Sequence, residues 1–247
     1  MKVFERLLLV VALGAVPGVM AAPGVGWAKA RPRHGEAVVE LFTAQGCASC
    51  KEANKLAAKL ADRPGLIVLT WAVDYWDYLG WKDTFAQPEF TLRQKAFARH
   101  LGPQDVYTPQ VVVNGEAQVS GDDAAGVDTL IKTAEQTRRR PLRIRFLNTG
   151  HVRVGSGHAP AGRAEVWLVR YDPREQDVEV KAGDNRGATV IHRNVVRQLV
   201  RLGTWRGRSV VFKAPDPTGP KLATVVLVEG ARGGPILGEA ETRPRKS

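Results

Sequence analysis

The sequence predicts an α/β domain followed by an all-β, sandwich-like domain. Three patterns carry the prediction. A β-branched apolar run, Ala37–Thr43, leads through a glycine turn into a helix-forming segment, and a second apolar run, Leu66–Val73, follows it. The pair Asn114-Gly115 separates two further apolar runs, as a two-residue hairpin turn does. Beyond Leu142 the chain breaks into short apolar or alternating runs divided by Gly, Pro, Asp and Asn, the pattern of antiparallel strands.

Ahead of the first strand, residues 1–22 read as a signal peptide. Lys2 and Arg6 form a basic start, Leu7–Ala15 an apolar core, and Val19-Met20-Ala21-Ala22 a small-residue cleavage site, with Ala28-Lys29-Ala30 a second candidate. Gly14, Pro17 and Gly18 interrupt the apolar run, which is short for a bilayer span. An exported protein, periplasmic or secreted, is expected, with residues 23–36 as a linker. The composition, 44% hydrophobic and 25% charged, is that of a globular chain. The net charge is +11, from 36 Lys and Arg against 25 Asp and Glu. In an exported chain that excess suits weak association with an anionic membrane surface, or is arginine-rich composition alone; it does not call for nucleic acid.

The first domain is expected over 37–139. Strand Ala37–Thr43 is followed by a helix over Ala48–Ala61, with Ala53, Leu56, Ala57 and Leu60 at helical spacing, ending at Asp62-Arg63-Pro64-Gly65. Strand Leu66–Val73 completes a βαβ unit with parallel pairing and a right-handed crossover. Thr84–Leu101 reads as a helix, Gln110–Val113 and Ala117–Val119 as the Asn-Gly hairpin, and Asp122–Arg138 as a closing helix.

The chain has two cysteines, Cys47 and Cys50, in the turn between the first strand and its helix. There the free N–H groups and the positive end of the helix dipole favour a thiolate, the form that attacks disulfides. The dipole alone is worth up to about 2 kcal/mol, which lowers a thiol pKa by about one unit. Cys47 is thus the candidate nucleophile and Cys50, one turn further in and more buried, the resolving thiol. The other reading is a structural disulfide, but so short a loop gives little entropic stabilisation. In an oxidising compartment the resting state is the Cys47–Cys50 disulfide.

The segment Asp74-Tyr75-Trp76-Asp77-Tyr78-Leu79-Gly80-Trp81 begins where the second strand ends, on the sheet edge that carries Cys47. Ligands collect at such strand ends in open α/β sheets. Tyr75, Trp76, Tyr78 and Trp81 either floor a substrate cleft or plug the base of a long connection. Asp74 is a candidate proton acceptor for Cys50. Glu40, in mid-strand, is either buried and perturbed or turned toward an edge.

The order β-CxxC-α-β-α-(Thr108-Pro109)-β-β-α resembles the thioredoxin fold. That resemblance implies a cis Pro109 lying against the disulfide, with the Thr108 backbone pairing with substrate. More specifically, Glu40–Cys50, Val73–Asp83 and Tyr107–Gln110 are similar to a family of bacterial secreted proteins with a thioredoxin-like core, catalogued as domain of unknown function 1223. Thioredoxins carry a buried acid six residues before the first cysteine; here that position is Leu41, with Glu40 one place off and facing the other side. Ala48-Ser49 lacks the proline of the reducing enzymes, which favours an oxidising or isomerising poise.

Arg138-Arg139-Arg140-Pro141 marks the boundary to the second domain, 141–240. Its strands are expected at Leu142–Leu147, Val152–Gly155, Ala164–Tyr171, Val178–Ala182, Ala188–Leu202, Ser209–Lys213 and Leu222–Glu229. Within the fifth, Thr189–Leu202 also fits helical spacing, but Thr189-Val190-Ile191 decides for strand. Gly183-Asp184-Asn185-Arg186-Gly187 reads as a polar turn that either reaches back toward the cysteines or is explained by turn chemistry alone, and residues 241–247, from a fray beginning at Glu239, as a tail. His151, His158 and His192 lack metal-ligand spacing. No cofactor motif and no metal site is expected.

The function expected is thiol–disulfide exchange on protein or peptide substrates through Cys47, Cys50, Thr108 and Pro109. The alternatives are a Cu(I) carrier, since two thiolates suit that ion, and a non-catalytic partner-binding module on the same scaffold.

Overall fold

The computed structural model describes residues 37–102, 105–137, 142–147, 150–160, 163–216 and 222–243. The expected signal peptide, its linker and the arginine cluster 138–140 lie outside them. The elements run β1 (Ala37–Thr43), α1 (Cys50–Leu60), β2 (Leu66–Ala72), a 3-10 turn (Asp77–Leu79), α2 (Pro88–Leu101), β3 (Gln110–Val113), β4 (Ala117–Ser120), α3 (Ala124–Gln136), β5 (Ile144–Leu147), β6 (His151–Val154), β7 (Ala164–Asp172), β8 (Gln176–Glu179), β9 (Thr189–His192), β10 (Val195–Trp205), β11 (Val210–Lys213), β12 (Ala223–Gly230) and β13 (Ile236–Thr242). The fold is mixed α/β, with one large sheet and few helices.

That sheet has eight strands in the order β13-β12-β7-β10-β2-β1-β3-β4. β1 and β2 pair in parallel, Ala37 opposite Leu66 through Thr43 opposite Ala72. β3 runs antiparallel to β1 and is joined to β4 by the Asn114-Gly115 turn, both residues at positive φ as a type I′ hairpin requires.

The second half extends this sheet with β10, β7, β12 and β13 and packs its own three-stranded sheet, β11-β6-β5, on that extension. Every residue of β2 is buried, so an unpaired β2 edge would leave backbone N–H and C=O groups without partners in the interior. β10 covers that edge. Val195 pairs with Thr70, Thr70 N donates to Asn194 O at 3.0 Å, and Asn194 Nδ2 donates to Val68 O at 2.9 Å. Asn194 sits at φ 54°. It breaks the single expected strand over 188–202 into β9 and β10 so that the second can enter the sheet.

Alternation along the strands then separates three packed regions. On one face α2 covers Val38, Phe42, Leu69 and Trp71 from the first half together with Val169, Tyr171, Val225 and Leu227 from the second, a core common to both. On the other face α1 and α3 cover Val39, Leu41, Val68 and Val111. Beside them a three-stranded sheet, β11-β6-β5, covers Val166, Leu168, Val226, Val228 and Ala240.

Two boundaries differ from expectation. The helix expected from Thr84 starts at Pro88, because proline is pre-organised for the first helical turn and Asp83 to Gln87 make loop contacts instead. The stretch from Glu239, expected to fray, is ordered through Thr242 as part of β13. Its Glu241 accepts from Tyr171 Oη at 2.5 Å and from Arg243 Nε at 2.8 Å, which makes a buried charge tolerable in an edge strand.

Candidate functional site

The site grows from the end of β1. Ala44 O accepts from Cys47 N at 3.2 Å and Cys47 O accepts from Cys50 N at 3.2 Å, two successive tight turns that bring the cysteine Cα atoms to 5.4 Å. Cys47 and Cys50 are joined as a disulfide, and α1 begins at Cys50 with Ser49 as its N-cap. The Ser49 side chain makes no capping bond; its Oγ lies 3.6 Å from Cys47 Sγ.

Cys47 is not the exposed partner that its position suggested. It is 1% exposed and Cys50 0%, while Ala48 and Ser49 between them face solvent. The polar turn between β8 and β9 packs on the cysteine turn from one side, and both cysteines belong to the core on which Tyr75 and Trp76 pack. Asn185 Nδ2 donates to Gln45 O at 2.9 Å and to Cys47 O at 2.7 Å. Gly183, at φ +75°, brings the backbone down on the cysteine turn: a Cβ there would lie 3.6 Å from Gly46 Cα and 3.7 Å from Leu79 Cβ. The cap holds its own shape through Gly187 N to Val180 O (2.8 Å) and Ala188 N to Asn185 O (2.9 Å).

Gln45 ties the turn to the aromatic segment. Its Oε1 accepts from Trp81 Nε1 at 2.9 Å, its Nε2 donates to Thr84 Oγ1 at 2.9 Å, and its backbone N donates to Asp83 Oδ2 at 2.7 Å. Asp83 is buried. Burial pushes its carboxyl pKa up to about 6, against the N–H donors of Gln45 and Phe85. Behind it, Phe85 stands edge-on to His192 at 5.2 Å and beneath the Arg197 guanidinium at 4.1 Å. Burial, helped by Arg197, lowers His192 to about 4, so the imidazole is neutral.

The Thr108–Pro109 peptide is cis. Gln110 pairs with Phe42, so Pro109 stands level with the end of β1, from which the cysteine turn departs. A Cβ on Gly121 would lie 2.9 Å from Pro109 Cβ and 3.1 Å from Ala53 Cβ, which puts Pro109 against α1. Trp76 joins the two parts: its Nε1 donates to Thr108 Oγ1 at 2.7 Å, and its Cβ lies 3.9 Å from where a Cβ on Gly46 would be.

Of the four aromatic cleft candidates, Tyr75 and Trp76 pack on the core and Trp81 is engaged by Gln45. Only Tyr78, 79% exposed, is free of the interior. The segment therefore frames the cysteine turn. The Tyr75 hydroxyl is buried beside Gln94 and Thr108 without a well-formed hydrogen bond, and burial raises its pKa to about 12. Asp74 accepts from Thr91 Oγ1 at 2.6 Å. Its partner is the first turn of α2, not a cysteine, so the role of proton acceptor for Cys50 has no geometric support.

Glu40 is buried. It receives Arg93 Nε at 2.6 Å and Nη2 at 2.8 Å, and Nη2 also donates to Glu229 at 3.0 Å. This triad joins β1, α2 and β12 and is a structural clamp. Among the described residues no group of three or more His, Cys, Asp or Glu is placed to hold a metal ion.

A family model described as a protein of unknown function (DUF1223) matches residues 38–229. The chain belongs to the DUF1223 family. A crystal structure of a protein from Agrobacterium tumefaciens, a structural-genomics target, is similar to this DUF1223 chain at 31% identity, covering 87% of this chain and 97% of that one, with a TM-score of 0.70. No curated protein was found to match it. The sequence does not single out Gln45 and Asp83 as site residues, and it marks Asn185 only as part of the Gly183–Gly187 turn. Their signals are a buried-type amide before Gly-Cys, an Asp that opens a turn, and an Asn inside Gly183–Gly187.

Proposed function

We propose that this DUF1223 chain is an exported thiol–disulfide exchange protein, thioredoxin-like in its first half, whose Cys47–Cys50 pair rests as a capped disulfide. The observation that supports this reading is the shared strand end: the disulfide turn and the cis Thr108–Pro109 peptide lie side by side, linked through Trp76. A substrate thiolate attacks Cys47 Sγ, the Cys47–Cys50 bond breaks, and its electron pair leaves on Cys50. A second substrate thiolate then attacks the mixed disulfide and releases Cys47 as a thiolate. The substrate dithiol is oxidised and the pair becomes two thiols, with Ser49 Oγ within reach of the Cys47 sulfur. Because both sulfurs are buried, attack requires Gly183–Gly187 to lift, and a protein or peptide that displaces the cap is the natural substrate class.

The same burial favours a second reading, in which the disulfide clasps the turn of a partner-binding scaffold. One experiment separates them. Full-length oxidised protein is incubated with a dithiol peptide, and peptide disulfide and protein thiols are followed together. Exchange predicts one peptide disulfide per protein for wild type and none for Cys47→Ala or Cys50→Ala; when the peptide is supplied as its disulfide, the Cys47 thiolate of Cys50→Ala attacks it, one peptide thiol is released, and the mixed disulfide stays trapped. If a folded Asn185→Ala variant with an uncovered turn also leaves the peptide reduced, the disulfide is a clasp.

A further inference from the structure

We infer that the outer face of the β11-β6-β5 sheet docks the protein onto an anionic, phosphate-bearing membrane surface. Strand register defines that face. Arg145 of β5 stands directly opposite Arg153 of β6, and Arg153 opposite Val211 of β11. In the next row Leu147, His151 and Lys213 stand abreast. At the other end Gly155 N donates to Arg143 O at 2.8 Å, placing Arg143 at the rim. Alternation sends Ile144, Val152 and Val154 into the core. Arg143, Arg145, Arg153, Val211 and Lys213 are left exposed on the opposite side.

No acidic residue occurs in the three strands. Like charges directly across an antiparallel pair repel one another, and Arg143, Arg145, Arg153 and Lys213 enter none of the ion pairs among the described residues. Solubility alone is met by interspersed signs. Four cations kept unneutralised in adjoining rows call for an anion outside the chain.

A membrane plane fits better than a discrete ligand. The cations stand on a sheet face about 4.8 Å apart across strands and roughly 7 Å apart along them, an extended array. Val211, 44% exposed in the same row as the arginine pair, suits the boundary between headgroups and acyl chains. The net charge of +11 draws the whole molecule toward a negative leaflet. Arg143, Arg145 and Arg153 also line a hollow of about 1000 Å³, but Glu116 and Glu239 share its wall, and Val211 and Lys213 lie outside it on the same face. The sheet lies over the β7, β12 and β13 side, so docking leaves the cysteine turn of β1 on the half away from the membrane.

The test is co-sedimentation of the full-length protein with phosphatidylglycerol vesicles and with phosphatidylcholine vesicles, for wild type and for Arg145→Thr/Arg153→Thr. Each basic side chain near the surface is worth roughly fivefold in partition, so the double variant should bind phosphatidylglycerol about 25-fold more weakly. Relief of the cross-strand repulsion should raise its Tm by about 1–2 °C, separating lost docking from lost folding. The N-terminal apolar run is the same in both proteins and controls for insertion. Equal partition of variant and wild type, or equal binding to phosphatidylcholine, overturns the proposal. So does tighter binding to polyglutamate than to vesicles, which would assign the face to an acidic protein. Displacement by inorganic phosphate beyond that by chloride at equal ionic strength would assign it to a free anion.

Discussion

Asn185 lies 138 residues beyond Cys47 in the chain, yet its side-chain amide donates to the Cys47 carbonyl oxygen at 2.7 Å. The bond is made by the last third of the chain to a turn formed by the first quarter.

Asn185→Ala therefore tests the cap directly. The substitution removes two donors to buried carbonyls, each bond contributing about 1 kcal/mol net, and should cost about 1–3 kcal/mol in urea unfolding. It should also raise the rate of disulfide reduction by dithiothreitol about tenfold or more, since opening no longer breaks those bonds. Reduction at the wild-type rate would mean that another segment controls access.

The buried pair behind the turn gives a pH signature. Asp83 titrates at about 6 in the folded chain against a usual 3.8. Between those values the folded state holds more protons, so this group makes stability fall as pH rises. His192 titrates at about 4 against a usual 6.5. There the unfolded state holds more protons, and stability rises with pH. Each is worth about 3 kcal/mol over its window, with opposite signs, so the wild type should be nearly flat from about pH 4 to 6. Asp83→Asn should unmask a stability that increases with pH, and His192→Phe one that decreases. Urea midpoints across that range are the measurement, and parallel slopes in the two variants would refute the assignment.

The seam between the halves is equally specific. Asn194→Ala leaves Val68 O without its donor and places a Cβ-bearing residue without a polar side chain at φ 54°. A loss of about 2–3 kcal/mol is expected, in a single cooperative transition, because the α2 core is common to both halves. Two separate transitions would show that the sheet divides where the sequence suggested.

Local patterns were legible and long-range ones were not. β1, α1, β2 and the Asn114-Gly115 hairpin follow from residue periodicity and turn chemistry within a dozen positions, and the sequence reading placed them to within about two residues. β13 did not show because Glu239 and Glu241 give it the polarity of a tail, and Tyr171, which with Arg243 makes Glu241 burial tolerable, lies 70 residues away. The cysteine turn was legible as redox chemistry. That Gly183–Gly187 reaches back to it was one of two readings of that turn, since turn chemistry alone also explains the residues, and the fold decides between them by setting Gly183 on Gly46. Asp74 read as functional because it ends a strand; Thr91, 17 residues on, engages it.

Glu40 shows the same limit, and its triad yields the most demanding test. Alternation along β1 could say only that a mid-strand carboxylate is buried or at an edge. The structure buries it under Arg93, whose guanidinium also lies 5.1 Å from the Trp71 ring and 4.8 Å from Phe97. Burial disfavours the Arg93 charge, but Glu229 and Glu40 more than offset this and hold it protonated, while burial pushes Glu229 up against the pull of Arg93. Arg93→Met keeps the volume and strands two carboxylates, so it should cost about 3–5 kcal/mol at pH 7. The penalty should shrink on acidification, as protonation removes the unpaired charges. Replacing all three with Glu40→Gln, Arg93→Met and Glu229→Gln should be less damaging than the single change, because no charge is then left buried. If the triple variant is the less stable at pH 7, the triad stabilises the fold by attraction and not merely by mutual neutralisation.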